Sequence, residues 1–145
     1  MFKGLVTAVL IILSLHAFGQ KKVPKRPLVA IDTTMLYDLY VGPLPAQGIL
    51  IRTKLRLNHL RYADDGKFVL LEMYRNAAGR DTIAVTKGDW TVLRGNAKDE
   101  NATVVELTTP AGTLNFLRRK DGDLQKLDAS LKEIKPVNSY ILKKK

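Results

Sequence analysis

The sequence predicts an all-β domain, a small antiparallel up-and-down barrel of about six to eight strands. Three observations carry that expectation: apolar and basic residues alternate over positions 49–58, turn residues punctuate the chain at short intervals, and only one stretch has helical periodicity. The 145-residue chain has no Cys, 10 Gly and 6 Pro, with 46% hydrophobic and 26% charged residues. This ordinary composition excludes collagen, coiled coil, disulfide scaffold and wholesale disorder. A mature chain of about 125 residues can bury roughly two thirds of its unfolded surface, enough for one core.

The first 19 residues read as a cleaved signal peptide. Lys3 supplies a basic start, and the apolar run over positions 5–15 is too short to cross a bilayer as a helix. Ala17 and Gly19 are the small residues a signal peptidase accepts, which sets cleavage between Gly19 and Gln20. A membrane anchor is the competing reading, and the shortness of the run argues against it. Gln20 stands where a lipoprotein would carry its lipid-bearing Cys. The expected product is periplasmic or otherwise exported, is not a lipoprotein, and has no integral membrane span in its mature chain. Without Cys it has no thiolate for redox, catalytic or metal work.

Residues 20–27 form a basic linker, because Pro24 and Pro27 each remove a ladder donor and fix φ. The folded domain is expected over residues 28–145. The net charge of +10 suggests nucleic acid until the charges are located: residues 27–142 carry 16 basic and 14 acidic groups, a net of only +2. The excess sits in the tails, as Lys21, Lys22, Lys25, Arg26 and Lys143 to Lys145, which speaks against a nucleic-acid partner.

The elements follow in order. Ile49, Ile51, Thr53, Leu55 and Leu57 fall on one side of a strand, with Leu50, Arg52, Lys54, Arg56 and Asn58 on the other. Asp64-Asp65-Gly66 is expected to turn the chain, and residues 68–74 return as a second strand. Strands are then expected over residues 82–93, 102–108, 113–119, 124–128 and 139–143, separated by turns at 76–81, 95–100, 110–112 and 121–122. Residues 126–135 have a helical spacing that Pro136 limits. A strand set of this size closes on itself to remove its edges.

The segment Tyr40-Val41-Gly42-Pro43-Leu44-Pro45-Ala46-Gln47-Gly48-Ile49, followed by Leu55 and Leu57, resembles the NlpE N-terminal-like domain family. Asp65-Gly66-Lys67-Phe68-Val69-Leu70 with Tyr74, then Lys87-Gly88-Asp89-Trp90-Thr91, Leu124 with Leu127-Asp128, and Tyr140-Ile141-Leu142-Lys143 follow in the same order. The resemblance implies a lipocalin-like barrel on the envelope side of a Gram-negative cell, linked to copper resistance and to envelope-stress and surface-contact signalling through a protein partner. Its motif positions here are Tyr40, Gly42, Leu44, Pro45, Gly48, Ile49, Gly88 and Trp90. Two departures stand out. Ala46-Gln47 replaces the family's Cys-x-x-Cys, and the lipid-bearing Cys is missing.

Catalysis has little to work with. Ser130 and Ser139 are the mature serines and His59 the one mature histidine, too few for a convergent Ser-His-Asp relay. The acid pairs Asp64-Asp65, Asp99-Glu100 and Asp121 with Asp123 sit in turn sequences, and turn chemistry accounts for them. Met35, Met73 and His59 are the donors a soft metal would meet, and methionines in strands are core filler by default. Trp90, Tyr37, Tyr40, Tyr62, Tyr74 and Tyr140 are expected to pack the barrel. The expectation is therefore a non-enzymatic envelope protein with no cofactor or metal. Its partner would be another envelope protein, or alternatively a small apolar ligand held in the lumen.

Overall fold

The structure, a computed structural model, describes residues 32–145. The signal peptide, its cleavage point at Gly19 and Gln20, and the linker lie outside the described residues. Eight strands form a closed antiparallel barrel in simple sequence order. They are β1 (Met35–Ala46), β2 (Ile49–Leu60), β3 (Asp65–Arg75), β4 (Asp81–Arg94), β5 (Thr103–Thr109), β6 (Gly112–Arg118), β7 (Leu124–Leu127) and β8 (Ile141–Lys144). A 3-10 turn, Val137–Tyr140, precedes β8.

The alternation in β2 has the expected hand. Thr53, Leu55 and Leu57 are buried, whereas Arg52, Lys54 and Arg56 are exposed. Ile49 is exposed despite its parity, because the tip of the β1–β2 hairpin stands clear of the core. Register then assembles the interior: Leu55 lies between Tyr40 and Leu70, and Leu57 opposite Phe68. These join Trp90, Val105, Leu107, Phe116, Leu124 and Leu142 in one buried cluster.

Three glycines inside strands let the sheet close. At Gly66 a Cβ would stand 1.9 Å from the Asn58 carbonyl oxygen, and at Gly88 it would stand 2.1 Å from that of Thr108. A Cβ at Gly42 would meet the Ile141 carbonyl at 2.8 Å. Neighbouring backbone passes over each position where the barrel wall bends, which only a residue without a side chain allows. Gly66 therefore belongs to β3 and not to a turn. The chain reverses earlier, over residues 61–64, with Tyr62 at φ 65°. Gln47 and Gly48, at φ 49° and 78°, form the two-residue hairpin that joins β1 to β2.

The helical spacing at residues 126–135 does not make a helix. Residues 126 and 127 end β7, and Asp128 Oδ1 accepts the Ser130 and Lys132 amides to turn the chain at 2.8 and 2.9 Å. The following residues run back as a strap, bridged antiparallel through Leu127 to Glu133 and through the Ala97 amide, which donates to the Leu131 carbonyl. Neighbours in sequence are both buried on β5, β6 and β7: Val104 beside Val105, Asn115 beside Phe116, Leu124 beside Gln125. Among these, Asn115 Oδ1 and Gln125 Nε2, an acceptor and a donor, have no hydrogen-bond partner among the described residues.

Closure is clasped by one carboxylate. Asp123 accepts the Lys143 ammonium at 2.7 Å and the Lys144 amide at 2.9 Å, and these contacts hold its pKa below the ordinary 3.8. A depressed folded-state pKa contributes stability above the unfolded value and loses it as pH falls through the folded one. Unfolding midpoints are therefore expected to decline more steeply from about pH 5 downward in the wild type than in Asp123→Asn. Parallel urea melts across that range check it; identical slopes would mean that the clasp carries no linkage.

Candidate functional site

Polar side chains converge at the mouth of the barrel where β1, β2, β4, β6 and β8 meet. Asp38, Tyr40, His59, Trp90, Arg118 and Lys144 line an open cleft of about 260 Å³ there. Strand parity puts them together. Asp38 and Tyr40 alternate inward on β1, Leu57 and His59 on β2, and Lys144 pairs with Tyr40 across the closing seam.

The electrostatics of the cleft are internally balanced. Lys144 Nζ donates to Asp38 at 3.0 Å, and that bond raises the lysine pKa above its ordinary value. His59 Nε2 stands 3.6 Å from the other Asp38 oxygen, its Nδ1 is 2.9 Å from the Leu60 carbonyl, and its ring meets Trp90 edge-on at 6.1 Å. Trp90 Nε1 donates to the Asn58 carbonyl at 3.0 Å, satisfying its one polar atom inside the core. Burial, reinforced by the Asp38 charge, pushes the Tyr40 phenol above its ordinary pKa, so it stays a neutral hydroxyl.

This arrangement holds an Asp-His pair, and no serine, threonine or cysteine is among the residues that line the cleft. Ser130 sits on the strap and Ser139 on the 3-10 turn, and neither lines the cleft. The acid pairs serve turns: Asp99 Oδ1 takes the Asn101 amide and Asp121 Oδ1 the Asp123 amide. Asp65 lies in β3, apart from that chemistry.

Tyrosines divide in a way that the sequence does not signal. Tyr40 alone among them is fully buried; Tyr74 and Tyr140 are half-buried, Tyr37 is exposed under the Arg56 guanidinium at 4.4 Å, and Tyr62 is 93% exposed. The expectation that all five pack the barrel is corrected accordingly.

The motif positions have structural roles. Tyr40, Leu44 and Trp90 are core, Gly42 and Gly88 admit neighbouring backbone, and Gly48 turns the first hairpin. Pro45 and Ile49 flank that turn. Asp123 is the polar residue sequence reasoning undervalued; its Asp-Gly-Asp setting reads as turn chemistry, and only the fold brings β8 against it.

Soft-metal donors are split between two ends of the barrel. Met35 and His59 line one rim cleft, while Met73 pairs with Arg52 toward the opposite end. Met35 is 62% exposed and Met73 37%, so neither is core filler. Among the described residues no three His, Asp or Glu side chains gather as a metal group. Titration with copper(I) against a competing chelator is expected to find no stoichiometric site of sub-micromolar affinity. Such a site, lost on changing Met35 or His59, would overturn that expectation.

No helix among the described residues is long and apolar enough to cross a membrane. Comparison of the chain with known protein families, with curated proteins and with solved structures finds no match to any of them.

Proposed function

We propose that this chain is an exported, non-enzymatic envelope protein that works by contact with another protein, as its resemblance to the NlpE N-terminal-like domain suggests. In that role it is a binding or sensing module for envelope stress or surface contact. The observation that supports this reading is the outer face of β2, β3 and β4. Register places Arg52, Met73 and Ile83 side by side, then Lys54, Leu71 and Val85, then Arg56, Val69 and Lys87. Leu50 and Ile83 are each 64% exposed and Val85 54%, an apolar strip bordered by cations on the solvent side of a sheet. Such a strip is the character of a contact surface.

A carrier of a small apolar ligand is supported less well. Tyr40, Phe68, Trp90, Phe116 and the core leucines occupy the space a lumen ligand would need. An eight-stranded barrel is just wide enough for its own side chains to fill.

A photoreactive residue placed at Met73 tests the reading in cells that make the protein, with Lys132 on the strap as the comparison site. A discrete adduct with a different protein is expected at Met73 and not at Lys132. The reading fails if neither position gives an adduct while a small molecule co-purifies with the barrel. N-terminal sequencing of the same preparation should begin at Gln20; an intact Met1 chain would refute export.

A further inference from the structure

The wall of the barrel has one long free edge. β4 pairs with β3 over residues 81–91, but its pairing with β5 begins only at Asp89. Residues 81–87 therefore have no paired strand on their second side among the described residues, while the Thr108 carbonyl of β5 stands against Gly88. Beyond that edge lies an open cleft of about 410 Å³, lined by Val85, Thr86 and Lys87 on one side and by Thr109 of β5 with Pro110 and Ala111 of the following turn on the other.

Protein edges are normally blunted, and this one carries charges only at its two ends, Asp81 and Lys87. β1 supplies the contrast within the same molecule. Its residues 42–46 also lack a β8 partner, but Pro43 and Pro45 remove two of the donors that an incoming strand would need. Residues 81–87 contain no proline, and the outward apolar pair Ile83 and Val85 stays exposed.

The sequence of this edge is complementary to itself. Read against its own reverse about Ala84, Asp81 faces Lys87, Thr82 faces Thr86, and Ile83 faces Val85. Opposite charges, hydroxyl-bearing β-branched residues and aliphatic β-branched residues are each favourable cross-strand pairs. Partners in this register share a face, so the apolar pair stays outside and the threonines inside. Moving the centre to Val85 would set Ile83 against Lys87 and would need Asp89, which already pairs with Thr108 of β5, to take Asp81 of the other copy. Asp81 contacts Arg75 on its own hairpin at 3.3 Å, an exposed pair that leaves the second carboxylate oxygen free for Lys87 of another copy.

We propose that two copies of this chain join through β4, edge to edge and antiparallel about a two-fold axis at Ala84, so that their sheets run on as one. This rests on the reading of the chain as a contact module and names one of its partners. Closed two-fold pairing also removes both free edges at once.

The chain has no cysteine, so single thiols report the register directly. Ala84→Cys should convert to a covalent dimer on oxidation or with a short thiol-bridging reagent. Thr82→Cys should not do so alone, but should cross-link when mixed with Thr86→Cys. Native mass spectrometry of the wild type should show a concentration-dependent dimer that Lys87→Asp weakens by about tenfold and that Asp81→Lys with Lys87→Asp restores. A wild type that stays monomeric at every concentration, an Ala84→Cys variant that stays unlinked, or a Thr82→Cys variant that links alone as readily as Ala84→Cys would each overturn the proposal. The mass of the Met73 adduct keeps the two readings apart: an adduct with a foreign protein upholds the contact reading even where no dimer forms.

Discussion

Gly66→Ala is expected to cost about 4 kcal/mol or more, among the largest losses that a single methyl group can cause. The added Cβ would lie 1.9 Å from the Asn58 carbonyl oxygen and 3.0 Å from both its carbon and the Trp90 Nε1. A flexible side chain could swing away, but a backbone carbonyl already held by the Trp90 indole at 3.0 Å cannot. Relief would require separating β2 from β3 at the bend, breaking that hydrogen bond inside the core. Gly88→Ala should behave alike, since its Cβ would meet the Thr108 carbonyl at 2.1 Å and the Phe68 ring at 2.9 Å. Gly79→Ala is the control. It has φ 75° with nothing within 4 Å, so it should lose only the roughly 1 kcal/mol of a strained left-handed residue. Urea unfolding of the three variants tests the bend; losses of equal size would show that it is conformational freedom, and not close approach, that matters at Gly66 and Gly88.

Leu55→Asp should rank beside them. Leu55 has no exposed surface and is paired between Tyr40 and Leu70, so a carboxylate there has no water and no cation within the cluster. Burying an unpaired charge and losing the leucine together cost about 4 kcal/mol or more, and the protein should fail to accumulate in folded form. One residue earlier, Lys54→Asp faces solvent and should change stability by under about 1 kcal/mol. Ile51→Asp should fall between, because Ile51 is only half-buried near the hairpin tip. Denaturant midpoints that rank Leu55→Asp and Lys54→Asp equally would refute the register of β2.

The barrel was legible wherever one face of a strand meets the core and the other meets water. β2 shows it most plainly, with Arg52, Lys54 and Arg56 interleaving Thr53, Leu55 and Leu57. Legibility stopped where that condition stops. β1 reads as a proline-rich entry motif because Pro43 and Pro45 argue against a strand, yet they stand in the stretch without a β8 partner, where a missing donor costs nothing. β5 to β7 lose their alternation because part of their outer face is buried as well. Asp65-Gly66 reads as a turn because sequence shows glycine's freedom and not the carbonyl that passes over it. Of the mouth cleft, His59 was visible as an isolated candidate. Its neighbours Asp38 and Lys144 come from strands about 100 residues apart in the chain, and no local pattern connects positions so distant.

The simple strand order also sets a sequence of events. Every pairing but one joins consecutive strands, and all of these hairpins except β7–β8, which the strap and the 3-10 turn connect, can form with short loops and little lost chain freedom. The exception is the seam, where β8 pairs with β1 at Tyr40 with Lys144 and Val41 with Lys143, extended by the Lys145 amide donating to the Leu39 carbonyl at 2.9 Å, and pairs with β7 through Leu124 and Gln125. Closing it requires the two ends of the domain to meet, and only four residues are there to reward the meeting. Ring closure is thus expected to come last in folding and to be undone first. On that expectation β8, whose buried core side chain is Leu142, works as the latch on a wall that the other strands build.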